Sequence, residues 1–102
     1  MKQLFFYVPE THLEQVKQAL FDIGLGKFNN YDSCCYQTLG QGQFRPLENS
    51  NPHLGSKGSI EKVSEYKVEM ICDNSLVDKA RDTLKQAHPY EEVAYGFIDI
   101  IY

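Results

Sequence analysis

The sequence predicts an α+β fold in which four antiparallel strands form one sheet and two helices cover one face of it. Short runs rich in aromatic and β-branched residues are typical of strands, and two longer segments carry apolar residues at helical spacing. These segments follow one another in the order β-α-β-β-α-β, which is the ferredoxin-like arrangement. We expect residues 1–102 to form a single domain, since this length is enough to bury a hydrophobic core.

The first half of the chain supplies a strand, a helix and a second strand. Residues 2–9, KQLFFYVP, predict a strand that ends at a proline. Residues 11–24 predict a helix, because apolar side chains recur at helical intervals and Thr11 and Glu14 have capping-box spacing. Residues 31–39 predict the second strand.

The second half begins with an unusually long connection. Residues 40–58, GQGQFRPLENSNPHLGSKG, predict a glycine-rich loop. A strand over 61–73 follows, with apolar and polar residues in alternation. Residues 75–88 predict a helix that again starts with capping-box spacing, and 92–102 predict the last strand. Loops of this length are usually functional or disordered, so we expect this one to be functional.

The sheet is predicted to be apolar on the face that the helices do not cover. In the first strand Leu4, Phe6 and Val8 share one face, but Phe5 and Tyr7 occupy the other. The last strand is apolar on both faces as well. A soluble monomer rarely exposes such a patch, so we expect a homo-oligomer whose sheet faces pack together. The alternative is that the glycine-rich loop folds back over its own sheet.

Composition and charge exclude several classes of function. The formal net charge is −4 and basic residues form no cluster, so no nucleic-acid partner is expected. No apolar run approaches the ~20 residues that cross a bilayer, and the N-terminus lacks the pattern of a secretory signal. We therefore expect a cytoplasmic protein without a membrane partner. The three cysteines lack zinc-finger and CxxC spacing, which predicts reduced thiols.

Two stretches carry a family resemblance, residues 40–69 and the segment HPYEEVAY at 88–95. Their glycine-rich run with Phe44 and Arg45, SNPHLG turn and HPYEE block resemble, in order and spacing, the domain inserted in YqfO-type, NIF-three-like (NGG-interacting-factor-like) proteins. The resemblance implies a PII/CutA-like fold and a homo-oligomer, with a trimer favoured over a dimer. The flanking halves that carry the di-metal ligands in that family have no counterpart here, so we expect a stand-alone version of the insert.

The glycine-rich loop occupies the position at which PII-like proteins bind partners and effectors. Its backbone N–H groups and the guanidinium of Arg45 suit an anionic group. The phosphate-binding fingerprint is not met, because a third glycine and a following helix are missing. The alternative is that the glycines and prolines only form turns and that Arg45 pairs with a neighbouring acid.

The HPYEE block admits three interpretations. His88 can cap the preceding helix as an imidazolium, with Pro89 ending that helix. His88 can instead bind a divalent metal together with His53 and Glu91 or Glu92, since imidazoles and a carboxylate suit zinc or copper. The two glutamates can also form a general acid/base pair, although no nucleophile accompanies them.

Together these observations predict a non-enzymatic, homo-oligomeric binding or regulatory module. It would sense a small ligand, with an anionic group held by Arg45, or a partner protein, in clefts between subunits formed by the 40–58 loop and the HPYEE block. The alternatives are a divalent-metal-binding protein resembling CutA and a small hydrolase at the subunit interface. No catalytic residue or cofactor is expected, apart from a divalent metal at His53, His88 and Glu91. The predicted ligand-binding residues are Gly40, Gly42, Phe44, Arg45, Asn51, His88, Tyr90, Glu91 and Glu92.

Overall fold

The computed structural model describes residues 1–101 and confirms the predicted fold class. The elements are strands β1 (Lys2–Pro9), β2 (Tyr36–Phe44), β3 (Glu61–Cys72) and β4 (Tyr95–Asp99), and helices α1 (Leu13–Asp22) and α2 (Val77–Ala87). The strands form one antiparallel sheet in the order β2-β3-β1-β4. Strands β1 and β3 are therefore central, and β2 and β4 form the edges.

Both helices lie on one face of the sheet and form the core with it. Phe6 of β1 pairs with Val68 of β3, and both side chains are fully buried against Leu20 of α1 and Leu84 of α2. Complete burial of one such side chain contributes about 1.5–3 kcal/mol. Within residues 1–101, neither helix has the length and apolarity needed to cross a membrane.

Strand β2 starts later than predicted. It begins at Tyr36, whereas the sequence predicted a strand from residue 31. Asn29 and Ser33 adopt left-handed backbone conformations, with φ of 53° and 54°, so the chain turns repeatedly before the strand. The β-propensity of the segment around Cys35 was overridden by these turns.

Strand β2 also continues further than predicted, so the loop spans residues 45–60 instead of starting at residue 40. Gly40 pairs with Glu65 and Gly42 pairs with Val63. A Cβ atom at Gly42 would collide with the carboxylate of Glu65, which lies across it. This glycine therefore allows a close side-chain approach within a strand and does not form a turn.

Both helices begin differently from the predicted capping boxes. Each follows a short 3₁₀ turn, and neither His12 before α1 nor Leu76 before α2 makes a side-chain cap. Thr11 pairs with the His12 ring instead. Ahead of α2, the Asp73 carboxylate accepts hydrogen bonds from the N–H and the hydroxyl of Ser75, at 2.9 and 2.7 Å, and these bonds lower the pKa of Asp73.

Strand β4 is shorter than the predicted segment 92–102, and Tyr102 lies outside the described residues. On the face without helices, Gly96 of β4 lies beneath the ring of Phe5. That ring also contacts Tyr7, with centroids 6.3 Å apart, and Lys67, whose Nζ is 5.5 Å from the centroid. We call this surface the open face; it carries charged as well as apolar side chains.

The three cysteines form no disulfide with one another. Cys72 is buried, whereas Cys34 and Cys35 are half-buried. Burial raises the pKa of Cys72 and of Cys35, which keeps both thiols protonated and less reactive.

Gly26, in the turn after α1, is expected to be more sensitive to substitution than Gly58 in the loop. Both have positive φ, 72° and 83°, so alanine at either position costs about 1–2 kcal/mol of backbone strain. At Gly26 a Cβ atom would also lie 2.6 Å from the Cys34 carbonyl oxygen and 2.9 Å from Phe21 Cε1, whereas Gly58 faces open space. Urea denaturation should therefore show a clearly larger loss of unfolding free energy for Gly26→Ala than for Gly58→Ala. Equal losses would contradict the close packing at Gly26.

Candidate functional site

A cleft lies at one end of the sheet, between the loop of residues 45–60 and the segment of residues 88–94. Its volume is about 440 Å³. Its aromatic lining comes from Tyr7 at the end of β1, Phe44 at the end of β2 and Tyr90. The rings of Phe44 and Tyr90 are 6.3 Å apart and inclined by 52°, so they form adjoining walls.

The loop is attached to the opposite wall by a small number of contacts. The backbone N–H of Asn51 donates a hydrogen bond to Glu91 Oε2 at 2.9 Å. The ring of His53 lies 6.2 Å from that of Tyr90 and 5.8 Å from that of His12. The loop thus folds back over one end of its own sheet, as the alternative from the sequence anticipated, while the open face beyond it stays uncovered by this loop.

His88 positions the segment that carries Tyr90. Its ring is buried, with 6% exposed, and lies between two backbone groups. Nε2–H donates to the Tyr7 carbonyl oxygen at 2.7 Å, and Nδ1 accepts the N–H of Tyr90 at 3.1 Å. Burial lowers the pKa of His88, and nearby His12 and His53 lower it further, while the bond to Tyr7 opposes them. His88 is therefore a neutral structural histidine and not the helix-capping imidazolium that the sequence suggested.

The predicted metal site is not assembled in this structure. Both ring nitrogens of His88 are engaged with backbone groups, and Glu91 accepts its hydrogen bond from the loop. His53 contacts its neighbours through its ring. Among residues 1–101, no three His, Cys, Asp or Glu side chains are grouped so that they could hold a metal ion.

Glu65 lines the cleft and was missed by the sequence prediction. Burial raises the pKa of its half-buried carboxyl group, and the Tyr90 hydroxyl partly opposes this shift. Burial and the charge of Glu65 in turn raise the pKa of Tyr90. The two groups face each other, but Tyr90 Oη is buried without a hydrogen-bond partner of good geometry in the described part of the chain. A predicted β2 that continued through Gly42 would have paired Gly40 with Glu65 and so placed Glu65 beside the glycine-rich segment.

The structure brings most of the predicted ligand-binding residues to the cleft. Those that line it are Phe44, Arg45, Tyr90, Glu91 and Glu92. Asn51 and His88 hold the walls in place from outside, through the hydrogen bonds described above. Gly40 and Gly42 line an adjoining depression of about 580 Å³ on the open face, which shares Tyr7, Glu65 and Ala94 with the cleft. Arg45 is exposed and makes no ion pair within residues 1–101, so its predicted alternative role as the partner of a neighbouring acid is not found.

Replacing His88 by glutamine should flatten the pH dependence of stability. The unfolded chain binds a proton at this histidine below about pH 6.5, whereas the folded protein resists protonation. Stability from this group is therefore present above that pH and is lost as the pH falls towards the lowered folded pKa. His88→Gln should cost about 1–3 kcal/mol at neutral pH, because backbone partners are left unsatisfied.

Urea denaturation at about pH 7.5 and about pH 5.5, on either side of the unfolded pKa, measures this difference. The matched variant His53→Gln removes an exposed histidine and should keep most of the wild-type pH dependence. An unchanged slope in His88→Gln would contradict the neutral, buried state of the ring.

Comparison with known proteins finds relatives of this chain both by sequence and by structure. No family model matches the chain. The protein named GTP cyclohydrolase 1 type 2 homolog of Halalkalibacterium halodurans is 40% identical over 93 residues, which are 91% of this chain and 25% of that protein. Its namesake in Bacillus subtilis is 37% identical over 100 residues, covering 98% of this chain and 27% of that protein. The chain thus spans about a quarter of the length of the curated relatives it matches.

Solved structures agree with the sequence relatives. A Bacillus cereus protein related to NIF3 matches 94% of this chain and 24% of its own, with a TM-score of 0.80 and 40% identity. Pyrococcus horikoshii CutA matches 98% of this chain and 84% of its own, with a TM-score of 0.72 at 18% identity, which shows a shared fold. The PII-like protein CutA from Nostoc matches 98% of this chain and 81% of its own, with a TM-score of 0.71 at 16% identity. The chain therefore has a PII/CutA-like fold and is homologous, along nearly its whole length, to about a quarter of the length of NIF-three-like, YqfO-type proteins.

Proposed function

We propose that this chain is a non-enzymatic, homo-oligomeric binding module that takes a small ligand into the cleft and regulates a partner protein. The observation that carries the proposal is the loop of residues 45–60, which closes over an aromatic cleft and is attached to its far wall by few contacts. Homology to these proteins supports a small binding or regulatory domain, and the chain's relatives by fold include a protein named PII-like.

The energetics of the loop favour a switch between closed and open positions. The exposed Asn51–Glu91 hydrogen bond contributes about 0.5–1.5 kcal/mol. The contact between His53 and Tyr90 adds about 0.5–1.5 kcal/mol. Fixing each loop residue costs about 1–2 kcal/mol of conformational entropy, so closure is only weakly favoured by these contacts. A ligand that touches both walls shifts the population towards the closed loop.

The same shift provides the regulatory output. The closed loop presents its outer residues in one arrangement, and release of the ligand frees them, which changes the surface that a partner protein meets. We place the module in the cytoplasm as a trimer, in keeping with the family resemblance. In this assembly the open faces pack together, because the exposed Ile98 and the uncovered part of half-buried Phe5 would otherwise face water.

Shortening the loop tests the ligand site directly. The Pro46 carbonyl oxygen accepts the N–H of Gly58 at 2.6 Å, so the ends of the loop already lie together. Replacing residues 47–57 by Asn-Gly joins these ends through a two-residue turn. The variant should fold and keep its oligomeric mass. It should lose the small molecule that native mass spectrometry detects on the full chain purified without chelator.

The control for this experiment is Lys57→Gln, which alters the loop outside the cleft lining and should keep the bound mass. The extra mass itself separates a metal ion from an organic ligand. A shortened loop that still carries the same molecule would show that the cleft is not the ligand site.

Charge introduced on the open face should disrupt the oligomer. Ile98 is 51% exposed on this face, beside Gln3 in the register, whereas Ile60 is 59% exposed at the end of the loop. Ile98→Glu should shift sedimentation velocity from an oligomer to a monomer, because packing the faces would bury an unpaired carboxylate. Ile60→Glu should leave the assembly intact. A wild-type chain that sediments as a monomer at every concentration would contradict the oligomeric part of the proposal.

A further inference from the structure

We propose that the ligand of the cleft is an organic cation with an ammonium or guanidinium group, in place of the anion suggested by the sequence. This inference rests on the proposed function and specifies the chemical class of its ligand. It is carried by the charges of the cleft, the aromatic walls and the buried hydroxyl of Tyr90, three features that lie within one cavity.

The charges that line the cleft are predominantly negative. Glu65, Glu91 and Glu92 contribute carboxylates, and Arg45 contributes the single guanidinium. Arg45 and the last two glutamates are exposed, so solvent screens their charges, whereas Glu65 is half-buried and its charge is screened less. An anion would have to approach Glu65 against repulsion, and a cation would be attracted to it.

The position of Glu65 is fixed by its surroundings. Its side chain lies across Gly42, where no Cβ atom intervenes, and it faces Tyr90. Among residues 1–101 it forms no ion pair; Lys2 pairs with Asp99, and Lys67 on the same face packs over Phe5. A half-buried carboxylate without a cationic partner favours a ligand that supplies one.

The aromatic side chains suit the same ligand. Tyr7, Phe44 and Tyr90 surround the cleft, and the faces of such rings attract ammonium and guanidinium groups. The apolar part of an organic cation would pack against these rings and against Leu54 of the loop, which is how a ligand could touch both walls. A hydrated inorganic cation would gain nothing from this apolar lining.

The hydroxyl of Tyr90 supplies the remaining element. Its oxygen is buried and faces the Glu65 carboxylate, but in the described residues no partner meets it with regular hydrogen-bond geometry, whereas most buried polar atoms have a well-formed partner. An ammonium group has three donors and no acceptor, so it can donate to Tyr90 Oη and to the Glu65 carboxylate together. A carboxylate ligand could accept from Tyr90 but would then lie beside Glu65.

Two probes of matched carbon chain and opposite charge test this inference, n-butylammonium and n-butyrate. We expect n-butylammonium to shift the amide resonances of Gly42, Glu65 and Tyr90 in NMR titrations of the full chain, and n-butyrate to leave them unmoved. Affinity for n-butylammonium should fall at least about tenfold in Glu65→Gln, which removes a charged partner. The control is Glu69→Gln on the same strand and face, whose carboxylate accepts from Gln3 at 2.9 Å outside the cleft.

A second variant covers the case in which Glu65→Gln fails to fold. Arg45→Gln removes the one positive charge of the lining, so it should tighten n-butylammonium binding. Weaker n-butylammonium binding in Arg45→Gln, or undiminished binding in a folded Glu65→Gln, would overturn the inference.

The remaining outcomes separate this inference from the proposed function. Binding of n-butyrate alone at these amides would overturn the cationic class while supporting the cleft as a ligand site. Absence of both probes from the cleft would also overturn the cationic class. The proposed function is then decided independently by native mass spectrometry, which shows whether the full chain retains a small molecule that the variant with the shortened loop loses.

Discussion

His88 joins three parts of the molecule through one buried ring. Its backbone N–H continues from α2 by bonding the Leu84 carbonyl at 2.9 Å, while its side chain links the Tyr7 carbonyl of β1 to the N–H of Tyr90. Because both partners are backbone groups, the ring fixes the path of the chain and not only a side chain. The direction of Tyr90, and with it one wall of the cleft, depends on this pair of hydrogen bonds.

A second constraint applies at the opposite wall, where the Glu65 side chain occupies the space that a Cβ atom at Gly42 would fill. The missing Cβ atom of the glycine lets the carboxylate lie across β2 and face the cleft. Burial raises the pKa of Glu65, because the charged carboxylate is less well solvated there, and the Tyr90 hydroxyl partly opposes this shift. Retaining a carboxylate in such an environment is consistent with a binding role, since perturbed groups concentrate at functional sites.

Most of the framework could be predicted from local pattern. Residues 61–73 alternate so regularly that the buried face of this strand is evident, residues 2–9 have the aromatic and β-branched composition of a strand, and the two helices show apolar side chains at helical spacing. The predicted second strand ended too early because glycines such as Gly40 and Gly42 are typical of turns. Their extended conformation depends on pairing with β3, which is a non-local interaction. The capping boxes failed for a related reason, because 3₁₀ turns moved the helix starts past Thr11 and Ser75.

By itself the sequence determined the order of the elements, the buried face of β3, and the two segments that would meet at the site, residues 40–58 and the HPYEE block. Hydrophobic periodicity and motif order are local properties of the sequence, so they can be recognised without knowing which residues are in contact. Only the tertiary structure decided what each polar group does there. It buries His88 as a neutral ring that hydrogen-bonds the backbone, and it brings Glu65, which the sequence did not predict, to the cleft beside Tyr90. Burial and hydrogen-bond partners set these roles, and both arise from residues distant in the chain.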